Sequence, residues 1–479
     1  MQLVEMISYW TKTDPNRLAL IQPGLLTTYQ GLAEAIQSTA ARIEQLGLDR
    51  QEPIGILIRN PSYLAATAFA ALHSGYSIAL VRSELLPLLQ PIGIRNLIYD
   101  TQGLMLSGGR NIRYDQSWVS AAPGQSGARP AVSQAASDII FFTSGTTGLP
   151  KKVAQTSSAV DKLLQYPMTC ASGPGEKILI MPGLTTTLGF NRLCEVLNVG
   201  KTACFASDSA AALSLIDRYR IDVAVMSAAQ AVQLADTRNA NPSFRLDSLK
   251  SLFLGGGKID PQGVANVRAA LCRNVINQYG STEAGVAALT PFDLLDDQPG
   301  VIPLPWTELE IVDQTGRQLP RDEEGLIRYR TPQLSENLKR AGSEPVPGVR
   351  DGWFYPGDIG ALSSEGVLCF TGRSSDVINR GGVKVSGTRI EEILKALPQV
   401  KEAAACGVVG ASGFEEIWIA IVPDGQINIQ ELKEMLCQHV DIGIAPDEVF
   451  LLDALPTGEL GKVQKSRLRE SLLRQKRAA

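Results

Sequence analysis

Residues 138–153 read DIIFFTSGTTGLPKKV. The apolar run 139–142 has the length and content of a strand. Six hydroxyl and glycine residues follow it: Thr143, Ser144, Gly145, Thr146, Thr147 and Gly148. Pro150 and the pair Lys151 and Lys152 come next. Glycines let backbone N–H groups approach an anion, hydroxyls add donors, and a lysine adds a point charge. The stretch therefore has the parts of a phosphate cradle. Its order differs from the GxxxxGK[ST] loop, and composition alone also admits a flexible linker.

Other segments could serve such a cradle. Residues 277–284, NQYGSTEA, put the Tyr279 ring beside a tight turn, with Gly280, Ser281, the Thr282 hydroxyl and the Glu283 carboxylate. A carboxylate near a triphosphate suits Mg²⁺, a hard cation that prefers oxygen ligands. Residues 254–258, LGGGK, include Gly255, Gly256 and Gly257, which allow backbone approach to a flat ligand or make a plain turn. In 354–360, FYPGDIG, Asp358 follows a Pro-Gly turn and could accept hydrogen bonds from ribose hydroxyls. Residues 370–379, FTGRSSDVIN, hold Arg373 and Ser375, and Gly381 and Gly382 follow. Residues 455–465, LPTGELGKVQK, hold Lys462, a position that on its own reads as a solvated lysine.

Taken in order, these segments resemble the motifs of the ANL adenylating superfamily, which holds acyl-CoA synthetases, peptide-synthetase adenylation domains and luciferases. The resemblance runs from the first helix to Lys462 and is most like an acyl-CoA synthetase. It implies that the 143–151 loop binds the phosphates of ATP, Gly280 and Ser281 contribute to ATP or AMP binding, Tyr279 packs near adenine, Thr282 meets phosphate and Glu283 holds Mg²⁺. Gly256 and Gly257 border the adenine. Asp358 and Arg373 contact ribose or phosphate, and Lys462 stabilises charge during adenylation. Ser375 takes the place of the domain hinge. Gly381 and Gly382 line a thiol tunnel. Thr185, Phe190, Ser227, Gly255 and Ala284 lie around the acyl group. There are departures: Lys152 replaces a usual Gly, Ser157 and Thr185 stand near usual histidines, Pro356 replaces a Thr, and Ser375 replaces a charged hinge residue.

The chemistry implied is activation of a small carboxylic acid as acyl-AMP, then transfer to a thiol. CoA is the first choice of acceptor, a carrier-protein phosphopantetheine the second and an amine the third. MPGLTTTLGFNR, residues 181–192, lacks the aspartate that would hold an α-ammonium group, which favours a plain organic acid in a mainly apolar pocket. A non-catalytic nucleotide-binding relative is the competing class, and Glu283, Arg373 and Lys462 argue against it.

Composition fits this reading. The chain has 479 residues, 44% hydrophobic and 20% charged, enough for more than one core. Its net charge of −4 gives no reason to expect nucleic-acid binding. No apolar run approaches the length of a membrane span, and the first residues lack a signal-peptide layout. Seven scattered cysteines without a CxxC pair suggest reduced, mostly buried thiols in a cytoplasmic protein. Two distant histidines make a zinc site or a Ser-His-Asp triad unattractive.

The elements that must carry these motifs follow from periodicity. Helices are expected at 29–46, 61–73, 210–219 and 261–271. Strands are expected at 53–58, 77–81, 96–99, 178–181, 203–205, 223–226, 251–254 and 274–276. The alternation implies α/β architecture with parallel pairs. Residues 309–330 alternate as antiparallel hairpins, a small β-barrel-like part. From 375 a smaller α+β unit follows, with helices at 388–396 and 429–439 and strands at 403–409, 416–422 and 448–452. The expected domains are 1–374, adenylate-forming, and 375–479, a mobile lid. Residues 120–137 read as a linker and the basic tail 465–477 as a solvated helix.

Overall fold

The computed structural model describes residues 2–101, 103–119, 137–143, 151–166, 176–257, 259, 261–291, 300–341, 346, 348–380, 383–410, 415–439, 445–458 and 461–478. They divide into two compact units. The larger holds described residues of 2–143, 151–307 and 330–354. The smaller holds those of 308–329 and 355–478.

The larger unit is built on two mixed sheets. In one, strands follow the order Leu25–Thr28, Leu18–Gln22, Thr202–Cys204, Lys177–Ile180, Val223–Ser227, Ser251–Gly255, Val275–Ser281, Gly285–Pro291 and Gly300–Pro303. From Leu18–Gln22 to Val275–Ser281 every neighbouring pair is parallel. Both ends close with antiparallel partners. The other sheet runs Arg110–Arg113, Asn96–Tyr99, Ile54–Leu57, Ile78–Leu80, Asp138–Thr143 and Lys151–Thr156, parallel except for the last pair. Central strands such as Val223–Ser227 are buried along their whole length, as strands covered on both faces must be.

One core joins the two sheets. It takes Ile56 and Phe141 from one, Ile178 and Phe253 from the other, and Phe69 and Phe190 from helices. Local signals set those helices. Asn60 caps Pro61–His73 by accepting from the Tyr63 N–H, with proline in the first turn. Thr28 caps Tyr29–Gln45 in the same way through Gly31. A second core lies on the other face of the first sheet, under Ser209–Tyr219, Ala228–Ala240 and Pro261–Ala270.

In the smaller unit the expected barrel-like part is a row of antiparallel strands, Gly325–Arg330 with Asp358–Leu362 and then Leu368–Arg373, and Glu308–Val312 pairs with the first. Val400–Val409, Glu415–Pro423 and Glu448–Leu451 form a three-stranded sheet with helices against it. The tail helix, Lys465–Ala478, corrects the reading of a solvated element. Leu468 and Leu472 are fully buried against Trp418 and Ala404 of that sheet, and only its other face is basic and wet. Six described cysteines are free; Cys194, Cys204 and Cys406 are buried, but Cys369 and Cys437 are exposed, fewer buried than expected. No helix among the described residues is long and apolar enough to cross a membrane.

Candidate functional site

The 143–151 loop springs from a hairpin of the second sheet, in which Thr143 pairs with Lys151. Lys151 and Lys152 are exposed there. Ser144, Gly145, Thr146, Thr147 and Gly148 lie outside the described residues, as do Gly381 and Gly382. Ser157 opens the helix Ser157–Gln165, capped by Thr156.

In the first sheet the expected site residues gather at the carboxyl ends of parallel strands, where open α/β sheets form ligand crevices. Ser227, Gly255 and Ser281 are terminal residues of neighbouring strands. Gly256, at φ +77°, turns the chain out of its strand with Gly257. Thr185 is half-buried in the loop before the helix Thr187–Asn198. Two expected acyl-site residues have structural duties. Phe190 is fully buried between Phe69 and Phe141, at ring-centroid distances of 5.9 and 6.1 Å, which makes it core. Ser227 caps Ala228–Ala240, and the Gln230 side chain accepts from its N–H in return. Ala284 is buried and lines a small cleft with Val286, Trp306, Thr331 and Gln333.

The Tyr279–Glu283 motif straddles a hairpin. Tyr279 is half-buried, a bulge follows it, and Gly280 meets Val286 across the turn. A Cβ on Gly280 would stand 2.3 Å from the Gly285 carbonyl oxygen, so only glycine closes this turn. Three successive carbonyls of the turn are then held by side chains from elsewhere. Gln155 Nε2 donates to the Thr282 oxygen at 3.0 Å and Asn337 Nδ2 to the Glu283 oxygen at 3.2 Å. The Thr331 hydroxyl donates to the Ala284 oxygen. Asn337 is itself fixed, because its Oδ1 accepts from the Thr156 N–H at 3.0 Å. All three anchoring side chains are buried. They carry no motif, and 127, 54 and 47 residues separate them from the carbonyls they hold. Only Asn337, a polar residue on the inner stripe of an amphipathic helix, left a trace in the sequence.

In the smaller unit three expected residues converge. Asp358 and Arg373 are directly opposite on paired strands, and Arg373 Nε lies 3.0 Å from Asp358 Oδ1. Asp358 is buried and Arg373 exposed. Lys462 sits with them. Its chain is exposed, yet desolvation of the ammonium lowers its pKa from 10.5 to about 8. The Arg373 guanidinium adds to the shift, and the Asp358 carboxylate opposes it. The loop that carries Lys462 is tight: Thr457 bridges Val463, and the Gly458 N–H donates to the Lys462 carbonyl at 2.8 Å.

Ser375 is exposed in a short 3₁₀ turn between two anchored neighbours. Ser374 bonds the Gly357 carbonyl twice, through N–H at 2.8 Å and hydroxyl at 2.9 Å. Asp376 pairs with Lys465 at 2.9 Å, and the same ammonium reaches Glu391 at 2.9 Å.

The donor set suits Mg²⁺ better than a softer metal. Glu283 offers carboxylate oxygen on a braced turn, and no group of three or more His, Cys, Asp or Glu that could hold a metal occurs among the described residues. Mg²⁺ commonly takes one or two carboxylates and completes its shell with water and phosphate.

Known proteins share this sequence and fold. A salicyl-AMP ligase / salicyl-S-ArCP synthetase of Mycobacterium tuberculosis is 29% identical over 366 residues, covering 73% of this chain and 64%, under two thirds, of that protein. A 2-succinylbenzoate–CoA ligase of Bacillus licheniformis is 25% identical, covering 95% of this chain and 97% of its own. Among solved structures, the O-succinylbenzoate coenzyme A synthetase of Bacillus subtilis in complex with AMP superposes with a TM-score of 0.81 at 22% identity, covering 97% of this chain and 98% of that one. An amide bond synthetase of Marinactinospora thermotolerans gives 0.78 at 22%, covering 98% and 99%. The family model described as AMP-binding enzyme matches residues 7–337, and the chain belongs to that family.

Proposed function

We propose that this protein uses ATP to convert a small carboxylic acid to acyl-AMP and pyrophosphate, then passes the acyl group to a thiol. Free CoA is the first acceptor and a carrier-protein phosphopantetheine the second. The meeting of Asp358, Arg373 and Lys462, from three separate motifs, carries the reading. In this reading Asp358 and Arg373 would hold ribose or phosphate oxygens, and the Lys462 ammonium would offset charge that builds between carboxylate and α-phosphate. Glu283 would hold Mg²⁺, which supplies charge neutralisation on the phosphates when bound, and Thr282 would meet phosphate. No protein nucleophile is needed, since positioning and charge stabilisation suffice.

The chain is further proposed to work as domains 1–374 and 375–479 that pivot at Ser375. Anchors on either side of this exposed residue support that choice. ATP–pyrophosphate exchange over a panel of acids, followed by thioester formation with CoA or a carrier protein, tests the whole reading. Exchange that depends on one class of acid is expected. Absence of exchange with every acid would overturn it.

A further inference from the structure

The described acyl-site residues offer little polarity, with one exception beside them. Gln278 is 7% exposed, and neither its Oε1 nor its Nε2 has a hydrogen-bond partner among the described residues. Buried amides are nearly always paired, because an unpaired one forfeits the bonds that water gave it.

The sheet shows which way this amide faces. Side chains alternate along a strand, and Ile276, two residues earlier, enters the core between the sheets. Gln278 therefore shares that face. Gly255 lies beside it on the next strand: a Cβ there would be 4.0 Å from Gln278 Cβ and 3.2 Å from Leu188. Leu289 is its cross-strand partner. Leu188 and Leu289, both half-buried against the core, offer no polar atom. Ser227, paired with Gly255 one strand further on, has its hydroxyl committed to a helix cap. Ser227, Gly255 and Gln278 thus form a row at the carboxyl ends of three strands, in which the Ser227 hydroxyl already accepts the cap bond and neither polar atom of the Gln278 amide has a partner among the described residues.

We infer that Gln278 is a specificity-determining residue that pairs with a second, neutral hydrogen-bonding group on the acid, a hydroxyl or carboxamide, so that the substrate is a functionalised acid and not a plain hydrocarbon one. This rests on the acid-activating reading above. It adds one polar contact to the expected mainly apolar pocket and replaces the expectation of a plain organic acid. The class follows from the chemistry of the site. An amide presents one acceptor and one donor and no charge, and the side chains named around it carry none.

The experiment uses matched pairs of acids that differ by one hydroxyl or carboxamide, aliphatic and aromatic, with the full chain. Both kcat/KM in ATP–pyrophosphate exchange and calorimetric binding of the acids are measured. The intact protein should favour the functionalised member of at least one pair by about tenfold or more. Gln278→Leu should abolish or invert that ratio while KM for ATP stays as it was. Gln278→Met, closer in shape, should do the same. Equal binding of both members in every pair, or a preference that survives both substitutions, would show a buried amide served by water alone and overturn the proposal. Loss of exchange with every acid would instead count against acid activation, and the binding ratio would still decide the role of Gln278.

Discussion

At the scale of single residues, charge and proton affinity set the expectations. Lys462 keeps its proton only up to about pH 8, because desolvation and Arg373 disfavour the ammonium. If that ammonium stabilises the adenylation transition state, kcat/KM for acyl-AMP formation falls as pH rises through about 8, not near 10.5. Lys462→Ala should lower acyl-AMP formation by about 10²–10³ and remove that limb of the pH profile. Thioester formation from supplied acyl-AMP should be largely spared. Equal loss in both half-reactions would refute the assignment. Glu283→Gln should raise the Mg²⁺ concentration needed for half-maximal exchange, with partial recovery at high Mg²⁺. An unchanged Mg²⁺ titration would remove Glu283 from the metal site.

At the scale of elements, the Thr282–Ala284 turn depends on side chains it does not contain. Asn337→Asp keeps an acceptor for the Thr156 N–H but loses the donor to the Glu283 carbonyl. It should cost about 10–100-fold in Mg²⁺-dependent exchange, as loss of an outer support of a metal ligand does, and should also lower the melting temperature, because a carboxylate is buried against a carbonyl oxygen. A variant with wild-type exchange would show the brace to be dispensable. The tail helix makes a different kind of prediction. Leu472 is fully buried against the three-stranded sheet. Leu472→Ala should destabilise the chain by about 2–5 kcal/mol in urea unfolding, the cost of a buried leucine. A solvated helix would show almost none.

At the scale of the whole molecule, the proposal is a pivot. Ser374 is tied to Gly357 and Asp376 to Lys465, and the proposed pivot assigns the torsional change to Ser375 between them. Ser375→Pro fixes φ near −65° and should hold one arrangement of the chain. One half-reaction should then persist while the other falls at least about tenfold. If both run at wild-type rates on the folded variant, neither the pivot nor the two-state cycle stands.

The sequence by itself determined much of the local structure. Pro61–His73 and Asn96–Tyr99 match their expected limits, because caps, proline and apolar runs act over a few residues. The motifs and their order were also legible, since glycine, hydroxyl and charge spacing is a local property. Sheet order and long-range pairing belong to the tertiary structure. Only those bring Gln155 and Asn337 to the 282–283 turn, commit Ser227 to a cap and Phe190 to the core, and bury one face of a basic tail helix that reads as solvated. They also leave the Gln278 amide without a partner among the described residues. The physical reason is the same in each case. Whether a polar atom finds a partner depends on neighbours across the sheet, and those neighbours lie tens of residues away in the chain.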